Sequence, residues 1–210
     1  MMEWINALDQ QLVLAVNGLV GQSLVQDRFM AQVMPLPLVK LGPIILLTIW
    51  LWSSGAAQGR RAVVVLVLGV VCTLAATVII QNLSPNRPRP IYDPALGLTL
   101  PIGLPPGILK DWSSFPSDHA SLSFAMATAI WLHSRSLGVL ALIWAAAIVC
   151  APRFYLGLHY PSDLIGGAAI GLLVTLLVHR SPLPALGERA VVRAMAINAA
   201  AFQCGAFVLL

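Results

Sequence analysis

Long apolar runs separated by short polar breaks dominate the chain. A helix that crosses a bilayer needs about 20 mostly apolar residues. Five stretches are read as spans: residues 34–52, 62–82, 117–133, 136–150 and 161–179. A sixth, 193–210, is apolar to its last residue. Residues 10–25 are also apolar, but Asn17, Gly18, Gly21 and Gln22 interrupt them, which suits a helix lying in the membrane interface better than a span. The pattern predicts an all-α, polytopic membrane helix bundle of about six transmembrane helices. An N-terminal interfacial segment, 1–33, precedes one membrane-embedded domain, 34–210.

Composition supports that class and removes others. Hydrophobic residues make up 59% of the chain and charged residues only 10%, against about 25% charged in ordinary soluble domains. Too few charges remain to coat a soluble globule, and disorder needs low hydrophobicity. Twelve Lys and Arg against eight Asp and Glu give a small basic excess. The cations are scattered singly, so no nucleic-acid stripe forms. Cys72, Cys150 and Cys204 lie in apolar runs and read as small hydrophobes, without disulfide or metal-ligand spacing. The start, Met1-Met2-Glu3-Trp4, lacks the basic segment of a cleavable signal, so a retained apolar segment is expected to direct insertion. Gly167 and Gly171 form a small-residue helix-packing face. Trp50, Trp52 and Trp112 suit interfacial belts, and His133 and His179 suit helix ends.

The one long connection, 82–116, holds eight of the fifteen prolines. Loops of this length are often functional. Counting passes puts it on the same membrane face as residues 152–163. The opposite face carries Arg60, Arg61, Arg135, Arg180, Arg189 and Arg193; the loop face carries Arg28, Lys40, Arg87, Arg89, Lys110 and Arg153. If Arg87, Arg89 and Arg153 are kept for chemistry, the topogenic balance becomes six against three. The loop face is then outside the cytoplasm.

Nearly all chemically suggestive residues fall on that face. The loop opens Asn82-Leu83-Ser84-Pro85-Asn86-Arg87-Pro88-Arg89-Pro90, a stiff cationic segment. Arginine recognises phosphate oxygens through planar, multiple donors; interfacial arginines touching lipid headgroups are the plainer reading. The loop closes on Pro116-Ser117-Asp118-His119 before an apolar helix. Ser117 suits an N-cap, and the free amides behind it favour an anion. In the run from Arg153 to Asp163, Asp163 follows His159 by four residues and is expected to reach one ring nitrogen, leaving the other as a nucleophile. A membrane-interface His–Asp pair is the bland alternative. Two histidines, three arginines, a serine and an aspartate on one face of a charge-poor protein weigh against chance.

These residues resemble the type 2 phosphatidic acid phosphatase superfamily, membrane lipid phosphatases related to vanadium haloperoxidases. Its signature is written KxxxxxxRP, PSGH and SRxxxxxHxxxD. Here the first part runs from Asn82 to Arg89-Pro90, the second is Pro116-Ser117-Asp118-His119, and the third runs from Pro152-Arg153 through His159 to Asp163. The resemblance covers roughly residues 35–180. Asn82 stands for the lysine and removes one phosphate-binding charge. Asp118 stands for the glycine, giving a PSDH form similar to undecaprenyl diphosphatases of the superfamily. Pro152 stands for the serine.

The resemblance implies that His159 attacks phosphorus, Asp163 orients it, and His119 protonates the departing oxygen and then activates water. It further implies that Arg89, Arg153 and Ser117 hold the phosphoryl oxygens with no metal or cofactor. Asn82, Arg87 and Asp118 join the expected substrate-binding set by motif, and Lys110 as the only lysine in the long loop. The expected substrate is a lipid phosphate in the bilayer, most specifically undecaprenyl diphosphate in a bacterial inner membrane, with the site facing the periplasm or exterior. Phosphatidate, phosphatidylglycerol phosphate, lipid A phosphate, lipid phosphotransfer, and a non-catalytic transport or lipid-binding role are the alternatives. Residues 96–109, with Leu98, Leu100, Ile102, Leu104 and Ile108, read either as a loop packed over helix ends or as a lid touching lipid.

Overall fold

The computed structural model describes residues 2–33, 36–53 and 57–208, with side chains described for 3–33, 36–53 and 57–196. Their regular structure is helical: α1 (Met2–Asn17), α2 (Leu24–Val33), α3 (Pro37–Ser53), α4 (Ala57–Leu83), α5 (Asp118–His133), α6 (Arg135–Trp144), α7 (Ala151–Tyr155), α8 (Pro161–Arg180) and α9 (Leu183–Val208). A π-helical stretch, Ala145–Cys150, fuses α6 to α7.

The helices match the expected apolar runs, with differences in length. Among the described residues, Ala57–Leu83, Arg135–Tyr155 and Pro161–Arg180 are long and apolar enough to cross a membrane. The bent pair α2 and α3, 52° apart, makes a fourth if it forms one broken span. α5 has 16 residues, about 24 Å at 1.5 Å per residue. α9 carries Glu188, Arg189 and Arg193 in its first half. The start of the first expected span at 34–35, the turn residues 54–56, the last two residues of the sixth run and the Cys204 side chain lie outside the description.

α4, α5 and α8 pack on one another, most intimately α5 on α8. Lipid tails are as apolar as leucine, so such helices associate through close packing and not through exclusion from water. The sequence supplies small residues for this: Ala120, Ser121, Ser123, Ala125, Ala127 and Ala129 are buried along α5. On α8, a Cβ at Gly167 would overlap the Ser117 carbonyl and one at Gly171 the Ser121 carbonyl. The outer faces expose Val67, Val71 and Ile79 of α4 and Leu173 and Leu177 of α8. The close approach has a consequence for chemistry: α5 and α8 begin side by side, with Ser117 N–H donating to the Asp163 carbonyl at 3.2 Å.

The N-terminal segment departs from a single helix over 10–25. α1 ends at Asn17, Gly21 takes a left-handed φ of 82°, and α2 follows. α1 packs on α7 and α8, and α2 on α7. Asp27 is fully buried and accepts from Tyr155 Oη at 2.5 Å, Ile102 N at 3.1 Å and Gly21 N at 3.2 Å. Asn17 exchanges two 2.9 Å hydrogen bonds with the Thr99 backbone. The long loop is thus tied down. Leu98, Leu104 and Ile108 pack into the hydrophobic clusters beneath it, while Leu100 and Ile102 stay exposed. At the far end of the bundle, His133 and His179 sit in the last turns of α5 and α8. With Gln58 and Arg61 they line a cavity of about 250 Å³.

Candidate active site

The site forms where the starts of α5 and α8 meet the long loop and the α7–α8 turn. Gly157, at φ 65°, turns the chain after α7. Its carbonyl accepts Ile91 N–H at 2.9 Å, which locks that turn to the loop. His159 follows and is only 2% exposed. Its Nδ1 lies 2.9 Å from the Ser114 carbonyl. A carbonyl only accepts, so Nδ1 carries the proton and Nε2 holds the lone pair. Nε2 lies 3.0 Å from Arg89 Nη1 and 3.4 Å from Ser117 Oγ. Burial first, then the charges of Arg89 and Arg153, hold His159 below the ordinary histidine range against the pull of Asp163. Burial and these two cations favour the neutral imidazole.

Asp163 approaches the His159 ring more loosely than expected. Its Oδ2 is 3.8 Å from His159 Nδ1, too far for a hydrogen bond. That oxygen instead accepts Tyr160 N–H at 2.8 Å, capping α8, while Oδ1 accepts Arg87 Nη1 at 2.6 Å. Ser114 fixes the tautomer, and Asp163 acts on His159 through charge.

Arg89 and Arg153 are 5% and 3% exposed. Arg89 donates to three carbonyls: Leu158 at 2.8 Å, Leu109 at 3.1 Å and Ser113 at 3.3 Å. Arg153 donates to Val149 O at 2.7 Å. Among the described residues neither forms an ion pair with a carboxylate. Buried charge is costly unless it is paired, so Arg89 at the lone pair and Arg153 within electrostatic reach of the ring favour an anion there. Ser117 is buried, and its Oγ accepts Ala120 N–H at 3.4 Å as the N-cap of α5.

His119 is held differently. Its side chain is 39% exposed, and its Nδ1 lies 2.8 Å from Asp118 Oδ1, which also accepts the His119 backbone N–H at 2.8 Å. Asp118 therefore orients His119. It lies within electrostatic reach of Arg89, Arg153 and His159.

Three other expected residues stand apart. Arg87 is occupied: Asp163, Asp9 and Ser162 bind it, and its guanidinium stacks 4.0 Å from the Tyr160 ring centroid. Burial alone would depress that guanidinium, but Asp9 and Asp163 more than offset this and hold it above the ordinary arginine value. Asn82 is exposed and turns back to Val78 O at 2.8 Å. Its neighbour Gln81 faces the site instead, donating to Pro116 O at 3.1 Å. Lys110 is exposed on the loop.

Residues missed from the sequence include Ser114, Asp9 and Lys40. Ser114 acts through a backbone carbonyl, which leaves no trace in residue type. Asp9 lies in a segment read only as interfacial, ahead of the helix expected over residues 10–25. Lys40, half-buried at the start of α3, is within electrostatic reach of Asp118, Arg153 and His119. It stood in the chain as a cation near a helix end, with nothing to point it inward.

The model of the PAP2 superfamily matches residues 58–185, more than half of the chain. The chain belongs to the PAP2 superfamily. The matched region holds Arg89, Ser117, His119, Arg153, His159 and Asp163, while Asp9 and Lys40 precede it. The undecaprenyl-diphosphatase BcrC of Bacillus subtilis is 25% identical over 173 residues, covering 82% of this chain and 83% of that one. The putative undecaprenyl-diphosphatase YbjG of Escherichia coli is 26% identical over 136 residues, covering 65% of this chain and 64% of YbjG's length. The lipid A 4'-phosphatase of Bacteroides thetaiotaomicron is 30% identical over 178 residues, covering 81% of this chain and 75% of that one. Among solved structures, Aquifex aeolicus LpxE superposes with a TM-score of 0.60 at 22% identity, covering 81% and 94% of the two chains. PAP2 members are lipid phosphatases and diphosphatases, and this member is an integral membrane protein by its apolar helices and its relatives.

Proposed function

We propose that this PAP2 protein hydrolyses a lipid phosphate without a metal, most specifically undecaprenyl diphosphate to undecaprenyl phosphate and inorganic phosphate. The observation that carries the reading is buried Arg89 at 3.0 Å from the lone pair of His159 Nε2, with buried Arg153 within electrostatic reach of the same ring and neither arginine paired with a carboxylate among the described residues. Fixed cations suit phosphoryl transfer, whose catalysis is mostly positioning and charge stabilisation.

His159 Nε2 attacks phosphorus as the bond to the leaving oxygen breaks. His119 passes its Nε2 proton to that oxygen, and a phosphohistidine forms. The positive charge on the ring is shared with the Ser114 carbonyl and faced by Asp163. Water then gives a proton to His119 and attacks phosphorus. The P–N bond breaks and its electron pair returns to His159.

The PSDH form and the two relatives named for undecaprenyl diphosphate support that substrate. Likeness to the Bacteroides lipid A 4'-phosphatase favours lipid A phosphate as the second reading. The deciding assay is phosphate release by detergent-purified protein from a panel of lipid mono- and diphosphates in EDTA. A preference for undecaprenyl diphosphate is expected, and a preference for lipid A would transfer the assignment.

The six arginines of the far end support a bacterial inner-membrane protein whose site faces outward. A cysteine introduced at the exposed Thr99 should react with an impermeant thiol reagent in intact cells. Reaction only after permeabilisation reverses the orientation.

A further inference from the structure

α1 precedes the residues matched by the family, yet it enters the site. Asp9 on α1 is 3% exposed. Its Oδ1 accepts Ser162 N–H at 3.0 Å, and its Oδ2 accepts Arg87 Nη2 at 2.7 Å and also the Ser162 hydroxyl. Asn6, almost one turn earlier, accepts from the same Nη2 at 3.3 Å. Arg87 Nη1 reaches Asp163 Oδ1 at 2.6 Å and Ser162 Oγ at 2.8 Å. The groups therefore run in the order Asp9, Arg87, Asp163, His159.

The charges along this chain decide what Asp9 does. Arg87 facing Asp163 alone would form a neutral pair, and the field of Asp163 at His159 would largely cancel. With a second carboxylate on its other side, Arg87 is shared, and one net negative charge remains. The groups facing His159 are Asp163 from α8, Arg89 from the loop, Arg153 from α7 and Asp118 from α5. Two cations there press against a ring that must itself become positive.

We propose that Asp9 is a positioning residue for the reaction: by engaging Arg87 and Ser162 it leaves the negative charge of Asp163 directed at His159 as the phosphohistidine cation forms. This rests on the reading of His159 as the nucleophile.

Asp9→Asn keeps the size of the side chain and removes its charge. kcat should fall about tenfold with KM nearly unchanged, because the lost interaction grows only as the cation forms. The acid limb of kcat/KM should move about one pH unit lower, because the imidazolium loses a stabilising anion. Arg87→Gln alone should move the limb the opposite way, since Asp9 then adds uncompensated negative charge. Asp9→Asn combined with Arg87→Gln should return it toward wild type, and Asp9→Glu should keep it in place. A residue that only braces α1 gives a double variant no better than the single and an unmoved limb in all of them. That pattern overturns the proposal even where one variant fails to accumulate in the membrane. His159→Ala separates the two levels. Turnover in that variant refutes the nucleophile, whereas a dead His159→Ala with unmoved limbs in the Asp9 and Arg87 variants refutes Asp9 alone.

Discussion

The two histidines of the site sit in contrasting surroundings. His159 is 2% exposed, with Ser114 on one nitrogen and Arg89 and Ser117 on the other. His119 stands in the first turn of α5 with its side chain 39% exposed and its Nδ1 held by the adjacent Asp118. A nucleophile has to lie in line with phosphorus and keep its lone pair free of protons, which a dry, crowded setting achieves. A group that protonates a leaving oxygen and then takes a proton from water has to be reached by water. The proposed reaction thus asks for a dry wall and a wet wall, and the parallel starts of α8 and α5 offer one of each.

The comparison breaks most sharply at His159. His159→Ala should lower kcat by on the order of 10⁴- to 10⁶-fold, the scale on which removing a nucleophile acts. Acid-labile phosphate trapped in a single turnover of wild type should be absent from the variant. In the wild type, burial keeps this imidazole neutral, so the acid limb of kcat/KM should lie below the ordinary histidine value of 6.5. A limb at or above 6.5 would mean that the dry wall does not set the charge of the nucleophile.

His119→Gln should cost about 10²- to 10⁴-fold, the range of general acid–base catalysis. The wet wall acts in both steps, so the pattern matters more than the size. A substrate with an acidic leaving group needs no proton and should form the phosphoenzyme at nearly the wild-type rate. Its hydrolysis still needs the base, so the phosphohistidine should accumulate. If formation and hydrolysis slow equally with that substrate, the separate roles are wrong.

The sequence reveals the two walls unequally. Apolar runs locate the helices because lipid demands long uncharged segments, and Gly167 and Gly171 mark the contact that aligns α5 with α8. The spacing of Arg153, His159 and Asp163 brings the third motif into view, but not which carbonyl or carboxylate touches which nitrogen. Ser114 contributes through its backbone, and the 3.8 Å between Asp163 and His159 depends on where Tyr160 and Arg87 pull the carboxylate. Asp9 and Lys40 stay hidden because their partners lie far along the chain. Arg87 and Arg89, two residues apart in an extended segment, look alike in sequence; one turns to carboxylates and the other to His159.

Asp118 tests how far the wet wall depends on its carboxylate. A hydrogen bond to a charged group is worth about 1.5–3 kcal/mol and a neutral one about 0.5–1.5. Asp118→Asn keeps a side-chain oxygen near His119 and loses the charge, so kcat should fall about tenfold, since 1.36 kcal/mol is tenfold. The leaving-group dependence should steepen, because a misoriented His119 is a poorer acid. An unchanged dependence would assign Asp118 to substrate binding, as its motif position alone implies.

The smallest effect belongs to Lys110, which follows Leu109, the residue whose carbonyl accepts from Arg89. The sequence makes it the candidate for the charge that Asn82 lacks, and the structure leaves it exposed. Two charges at about 4 Å in water interact by about 1 kcal/mol, so an ammonium that stays solvated has little to offer. Lys110→Ala should lower kcat/KM for a lipid diphosphate by about two- to fivefold at low salt, and for a monophosphate by less. At about 1 M salt, where the screening length is about 3 Å, the difference should vanish. A loss of about a hundredfold that survives salt would instead mean that substrate draws Lys110 into a dry, direct phosphate bond. The outer phosphate would then belong to the dry side of the comparison.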